Sequence, residues 1–418
     1  MREKYALRVK DLQIEIKNTV IDSTWNTSQS KTALRLYKDG KLRLSLLDGP
    51  YDEEKIYEKL SDSMDLGRVY PVSLQRNRQE NLISGFQKCD YAQLISVLEK
   101  VMKKLSVQFS SLRLDGSFHF EYQEISMSNE QTLYLNFEDR LLYGNFRLSD
   151  RENARQSAEF SLVFRNFEEQ SIFSAFAEYF SAYLHPVTLE SGQEYPVLFS
   201  TGNPTPLRQL EKDLQPDMFH SGMSLLSGSA GRQIFDENFT LYASRSPEDA
   251  KVRSHQMIPF FDSEGSVNPL HRKALIDAGV LLTPYTCKQT AERYELENTG
   301  SASVNEQGYP YASPEGFCIK PSDLELKTLL KGEKGILICD VQEDAFDDRG
   351  QFLLRADSAF LHDGERLIGK LPSLRLSSDL FSIFRSGYIG VSSDHLLHSD
   401  IDRALLIKMR VELLHKEV

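Results

Sequence analysis

Apolar and polar residues alternate through Thr32–Leu47. Leu34 and Leu36 precede an Asp39-Gly40 pair, and Leu42, Leu44 and Leu46 follow it. Period-two alternation around Asp-Gly predicts two strands joined by a tight hairpin, each with its leucines on one face. The period then changes. Ile56, Leu60 and Met64 recur four apart behind Asp52, and Leu94, Leu98, Val101 and Leu105 form a stripe behind Asp90. Helical spacing behind a capping aspartate predicts two helices whose apolar faces pack onto a sheet. Strand-like alternation returns over Ser117–Leu148 and Ala158–Phe167, and Ser171–Leu184 closes the region as a helix. Strands and helices in this order lack regular βαβ alternation. They argue for an α+β fold with an antiparallel sheet.

After Leu184 the texture shifts. "HPVTLESGQEYPVLFSTGNPTP", His185–Pro206, is rich in Pro and Gly and is the expected domain join. The division predicted is an N-terminal α+β domain over 1–186 and a β-rich C-terminal domain over 187–418. Pro206–Gly231 reads as a helix followed by a Ser/Gly loop. Beyond it the chain reads as short strands and turns. "DDRG" and "HDGE" bracket the alternating "QFLLRADSAFL", and "SSDLFSIFRSG" reads as a short capped helix ending at glycine.

Length and composition narrow the class. A chain of 418 residues exceeds one ordinary core, and 40% hydrophobic with 26% charged residues is globular. Lys plus Arg is 49 and Asp plus Glu is 61, so the net charge is 49 − 61 = −12. Such a surface repels phosphate backbones and anionic membranes, so neither nucleic acid nor membrane is an expected partner. Cys89, Cys287, Cys318 and Cys339 lie far apart in sequence and read as reduced thiols. "MREKYALRVK" holds no apolar stretch of signal length, and no apolar run reaches the ~18 residues of a membrane span. A cytoplasmic location is expected.

Candidate chemistry is sparse. The "SGMSLLSGSAG" loop lacks the Lys-Ser/Thr of a phosphate-binding loop, and no Gly-x-Ser-x-Gly elbow occurs. His-Glu, which begins zinc helices of the HExxH type, is absent. His395 and His398 stand three apart, flanked by Asp394, Asp400 and Asp402. On a helix they would share a face and offer a metal site, and in a loop they are solvated polar residues. Asp262 and Glu264, before Gly265, form an acidic pair suited to acid–base work or to capping a strand end.

That pair opens a longer resemblance. "FFDSEGSVNPLHRKALIDAGVLLTPYTCKQTAERYELENTGSA" is similar to the signature of the TldD/PmbA family, the so-called modulators of DNA gyrase. The shared marks are Asp262, Glu264 and Gly265, then "LIDAGVL" from Leu275 to Leu281, Tyr285, Ala291, and "NTGSA" from Asn298 to Ala302. The likeness covers nearly the whole chain and is best from Phe219 to Phe384. It implies an α+β N-terminal domain, a β-rich C-terminal domain and a dimer around a central cavity. It also implies substrate contacts at Asp262, Glu264, Gly265, Asn298, Thr299 and Gly300. In the TldD branch a helix carrying HExxxH, followed by a run resembling Met223–Gly228 "MSLLSG", and a C-terminal cysteine hold zinc. Family spacing lays that motif on Leu207, Arg208 and Lys212, and no cysteine follows Gly390. Leucine does not ligate zinc, and two fixed cations oppose it.

The chain therefore resembles the PmbA or TldE branch, whose members are non-catalytic partners of a TldD subunit. This implies no metal in this chain, zinc in a TldD-like partner, and a peptide or unfolded polypeptide as substrate. Two alternatives stand beside it. One is a peptidase with relocated ligands at His395, His398 and Asp394. The other is a homodimer that captures peptides without cutting them.

Overall fold

In the computed structural model of the chain, residues 1–70, 73–83, 90–153, 156–202, 204–249, 257–340, 346–397 and 402–414 are described. The first half builds one large sheet. Its strands are β1 (Arg2–Lys17), β2 (Val20–Lys38), β3 (Lys41–Asp48), β4 (Arg68–Val69), β5 (Arg78–Ile83), β6 (Leu112–Asn129), β7 (Leu133–Asp150) and β8 (Ser157–Phe164). The order is β4-β3-β2-β1-β6-β7-β5, with β8 also on β7. All neighbours are antiparallel except β5, which runs parallel to β7. The expected hairpin forms between β2 and β3, with Lys38 opposite Lys41. Asp39 and Gly40 both take positive φ, 51° and 70°, as a type I′ turn requires.

The hairpin leucines divide between the sheet's two sides. Leu34 and Leu36 pack on the helix Glu53–Asp62 (α1), beside Tyr57 and Leu60. Leu42, Leu44 and Leu46 lie opposite Tyr37, Arg35 and Ala33, on the face turned towards the C-terminal half, where Leu44 and Leu46 meet Gly308. Both sides of this sheet are covered, each over a different part. β1 shows the same switch. Tyr5 and Leu7 pack with Phe260 and Phe261, whereas Leu12, Ile14 and Ile16 point to the helices α2 (Tyr91–Gln108) and α3 (Glu169–Tyr183).

α1 and α2 start where predicted. Asp52 accepts from the Lys55 backbone N–H and Asp90 from that of Ala92. The α2 stripe Leu94, Leu98, Val101 and Leu105 is fully buried. Beneath it Phe118, Phe146, Phe160 and Phe176 interlock edge to face, with Phe118 and Phe146 centroids 4.7 Å apart. Such contacts add to the area they bury.

The second large sheet runs Gln351–Ala356, Leu374–Asp379, Ala404–Leu413, β9 (Gln193–Ser200), Gly335–Ile338, Ala359–His362 and Leu367–Lys370. β9 lies at its centre, within the stretch read as a domain join. It pairs antiparallel with Ala404–Leu413 and parallel with Gly335–Ile338. Leu198, Leu330, Leu337 and Phe360 share one apolar core with α2 and α3, so the halves are packed together. In "SSDLFSIFRSG", Asp379 caps a short helix, Leu380–Phe384.

Candidate functional site

Three features bear on function: the segment matching a zinc helix, the two family signatures, and a cavity between the halves. The first begins with a 3-10 turn, Thr205–Leu207, which runs into α4 (Arg208–Asp213). The single helix read from the sequence is interrupted. Pro216 opens a second one, α5 (Pro216–Ser221), which ends at Gly222 in left-handed conformation (φ 82°). Gly228 and Gly231 are also left-handed, and a Cβ on either would touch nothing. These glycines serve backbone turns.

Leu207, Leu210 and Leu214 are buried in the C-terminal core. Gln209 donates to Asp213 (2.8 Å), and Asp213 accepts from the Leu225 N–H (3.0 Å), which ties the loop to the helix. Lys212 reaches the surface and pairs with Asp348 at 3.1 Å. Arg208 lines the cavity between the halves. The three motif positions thus point to core, cavity and solvent. An apolar leucine and two cationic side chains at these positions do not fit a zinc ion. Leu207→His is expected to lose about 2–4 kcal/mol through a polar ring in an apolar core. The loss should be the same in urea melts with and without added zinc.

The signatures meet in one buried knot. Residues 262–265 form a turn closed by the Gly265 N–H to the Asp262 carbonyl (2.9 Å). Asp262 Oδ1 accepts from the N–H groups of Glu264 (2.9 Å) and Ser266 (2.8 Å), and its Oδ2 from that of Ala302 (3.3 Å). Glu264 accepts from the Tyr70 hydroxyl and from the Lys288 N–H (2.7 Å). Asn298 donates to Ser266 Oγ (2.9 Å) and accepts from the Gly300 N–H (3.0 Å). Thr299 and Thr286 exchange side-chain and backbone bonds. Gly265 (φ 71°) presses the turn on the N-terminal sheet, where a Cβ would lie 3.1 Å from Met127 Sδ.

All six predicted residues are brought together, and Asp262, Glu264 and Thr299 are buried. Their bonds are made within the chain. Burial, then the neighbouring Asp262 charge, pushes the Glu264 carboxyl up to about 7, and burial and Glu264 raise the Cys287 thiol. Two buried arginines complete the knot, and sequence reading missed both. Arg245 donates to the carbonyls of Gly300, Phe261 and Ala302 at 2.8, 3.1 and 3.2 Å. Arg35 donates to the Ser263 carbonyl at 2.6 Å. The one signal for Arg35 was a charge set between Leu34 and Leu36.

The cavity, about 520 Å³, lies between the first sheet and α4. Glu121, Tyr143, Tyr179, Arg208, Cys339 and Asp402 are among its walls. Beside it His119 Nδ1 lies 2.9 Å from Asp11 Oδ2 and its ring stacks on Tyr143, centroids 5.1 Å apart. Tyr143 donates to Glu121 at 3.4 Å, and burial with that neighbour raises its hydroxyl to about 12. Of these, the sequence analysis named only Arg208, Cys339 and Asp402.

Of the C-terminal candidates, Asp394 accepts from the Leu326 N–H (2.7 Å) and His395 is exposed. His398 and Asp400 lie outside the described residues. Among the described residues no group of three His, Cys, Asp or Glu is placed to hold a metal. Nor is any helix among them long and apolar enough to cross a membrane.

The fold has solved counterparts. TldE from Thermococcus kodakarensis superposes with a TM-score of 0.76 at 17% identity, over 99% of this chain and 96% of that one. A proposed modulator of a DNA gyrase from Thermotoga maritima gives 0.73 at 15%, over 98% and 95%. A counterpart from Bacteroides thetaiotaomicron gives 0.73 at 15%, over 99% and 94%. At these identities the likeness is one of α+β fold. No curated protein matches the sequence significantly. Residues 192–403 match the family model of the PmbA/TldA metallopeptidase C-terminal domain. The chain belongs to the TldD/PmbA family.

Proposed function

We propose that this chain is a non-catalytic, TldE/PmbA-like subunit of a peptidase system acting on peptides or unfolded polypeptides. One observation carries the reading. The positions that match the family's zinc helix hold a core leucine, a cavity arginine and a surface lysine, none of which ligates zinc. The cavity beside Arg208, with apolar and hydrogen-bonding walls, suits an extended peptide segment. In this reading zinc belongs to a TldD-like partner, and the chain works in a reducing cytoplasm. The engaged Asp394 favours this over a relocated metal at His395 and His398. The Asp262–Asn298 knot then shapes the wall of the site by holding the halves together.

The test is an unstructured, fluorescently labelled peptide. The chain alone is expected to bind it saturably and leave it intact. Mixed with an HExxxH-bearing relative, it should support cleavage. Metal-dependent cleavage by the chain alone would overturn the proposal.

A further inference from the structure

Leu12, Ile14 and Ile16 of β1 point to the helices, so Asp11 and Gln13 lie on the other face of the first sheet. In the β1–β6 register Asp11 stands directly opposite Glu121, and Gln13 opposite His119. Two carboxylates facing each other across strands repel. Burial and then the Asp11 charge accordingly raise the Glu121 carboxyl. Among the described residues no Lys or Arg forms an ion pair with either group. There Asp11 Oδ2 meets only the His119 ring, and Asp11 Oδ1 is buried without a hydrogen bond. The next row across the sheet is largely aromatic. Trp25 stands opposite Gln13, and His119 opposite Tyr143, and Trp25 is 42% exposed. Both rows reach the cavity, whose walls include Glu121 and Tyr143. Arg208 and Asp402 on its other walls carry opposite charges, so the excess negative charge lies at Asp11 and Glu121.

We infer that this strip recognises the cationic side chains of an extended polypeptide, with a Lys or Arg head held between Asp11 and Glu121. The inference rests on the peptide-binding reading above and adds the charge of the segment bound. A cation at this place relieves the repulsion between the two carboxylates, whereas a neutral side chain leaves it standing. Partial burial keeps the attraction from being fully screened. The aromatic rings are set to take part. Trp25 is diagonal to Asp11 and Tyr143 is diagonal to Glu121, and diagonal neighbours roughly 7–8 Å apart lie within reach of aromatic and long side chains. Their faces attract an ammonium or guanidinium group and cover its apolar stem. At longer range the net charge of −12 draws basic segments to the chain and repels acidic ones.

The test uses three unstructured, fluorescently labelled peptides that differ only in carrying Lys, Gln or Glu at alternate positions. Binding to the full chain is read by anisotropy. The Lys peptide is expected to bind at least about tenfold more tightly than its Gln twin, and the Glu peptide least. The preference should shrink between about 0.05 and 0.5 M salt. Glu121→Gln removes one of the opposed charges, so its urea midpoint should equal or exceed that of the original chain. Its preference for Lys over Gln should fall to about twofold or less. Asp11→Asn should lower the preference in the same direction. Equal affinity for the three peptides would overturn the inference and leave the peptide-binding reading intact. Binding of none of them would overturn both. A lysine preference unchanged in both variants would also overturn the inference, because the cation would then be held elsewhere.

Discussion

Replacing Arg35 with alanine is expected to remove about 4 kcal/mol of stability, the largest single effect predicted for this chain. The guanidinium is fully buried. Its Nη1 lies 3.2 Å from Glu3 Oε1 and 2.6 Å from the Ser263 carbonyl oxygen, and Nη2 lies 3.5 Å from that of Gly308. It thus ties β1 and β2 to two loops of the C-terminal half. Buried ion pairs are weak evidence of net stability, because both ions lose their water. Removing one partner is different, since the other charge stays behind and costs about 3–5 kcal/mol. In Arg35→Ala, Glu3 keeps the Tyr37 hydroxyl, at 2.9 Å, as its donor. Adding Glu3→Gln should recover about half the loss, because the stranded charge is gone. Urea unfolding of both variants measures this. An Arg35→Ala protein within about 1 kcal/mol of the original would mean that the halves are held by other contacts.

The second large effect is a loss of stability as pH rises from about 4.5 to about 7. Glu264 titrates near 7 in the folded chain, against an ordinary value of 4.5, because burial and the Asp262 charge disfavour its ionised form. The folded state therefore binds this proton more tightly than the unfolded state. Its contribution is fully present below the unfolded value and is lost as pH rises through the folded one. The shift corresponds to something on the order of 3 kcal/mol. Facing groups act in both directions. The Tyr70 hydroxyl and the Lys288 N–H favour the carboxylate, while Asp262 opposes it. Glu264→Gln should flatten the stability–pH curve in this window, read as urea midpoints at pH 5, 6 and 7. An equally steep fall in the variant would assign the effect to another group.

Local signals were legible in the sequence where one segment sufficed to fix them. Asp39-Gly40 made its own turn, and Asp52 and Asp90 capped their own helices. β1 was not legible. Its apolar residues occupy odd positions at Tyr5, Leu7 and Val9 and even ones at Leu12, Ile14 and Ile16, because opposite faces of the strand are covered at its two ends. No single period marks such a strand. β9 was hidden by Pro196 and by the polar residues around it. The knot of Asp262 to Gly300 was reached through family resemblance. Its partners Arg35, Tyr70, Arg245 and Lys288 were not, because three of them come from distant elements and all read as surface residues when taken alone. The zinc positions were legible as wrong residue types. That Leu207 is built into the C-terminal core and Lys212 is paired with Asp348 needed the fold.

The central claim is that a member of a metallopeptidase family has kept the fold and lost the metal. Its most direct test is transition-metal content by mass spectrometry, on chain purified without chelator or affinity metal and then equilibrated with excess zinc and desalted. The account predicts well under about 0.1 ion per chain. A stoichiometry near about one ion, lost on substitution of His395, would contradict it and place the metal outside α4.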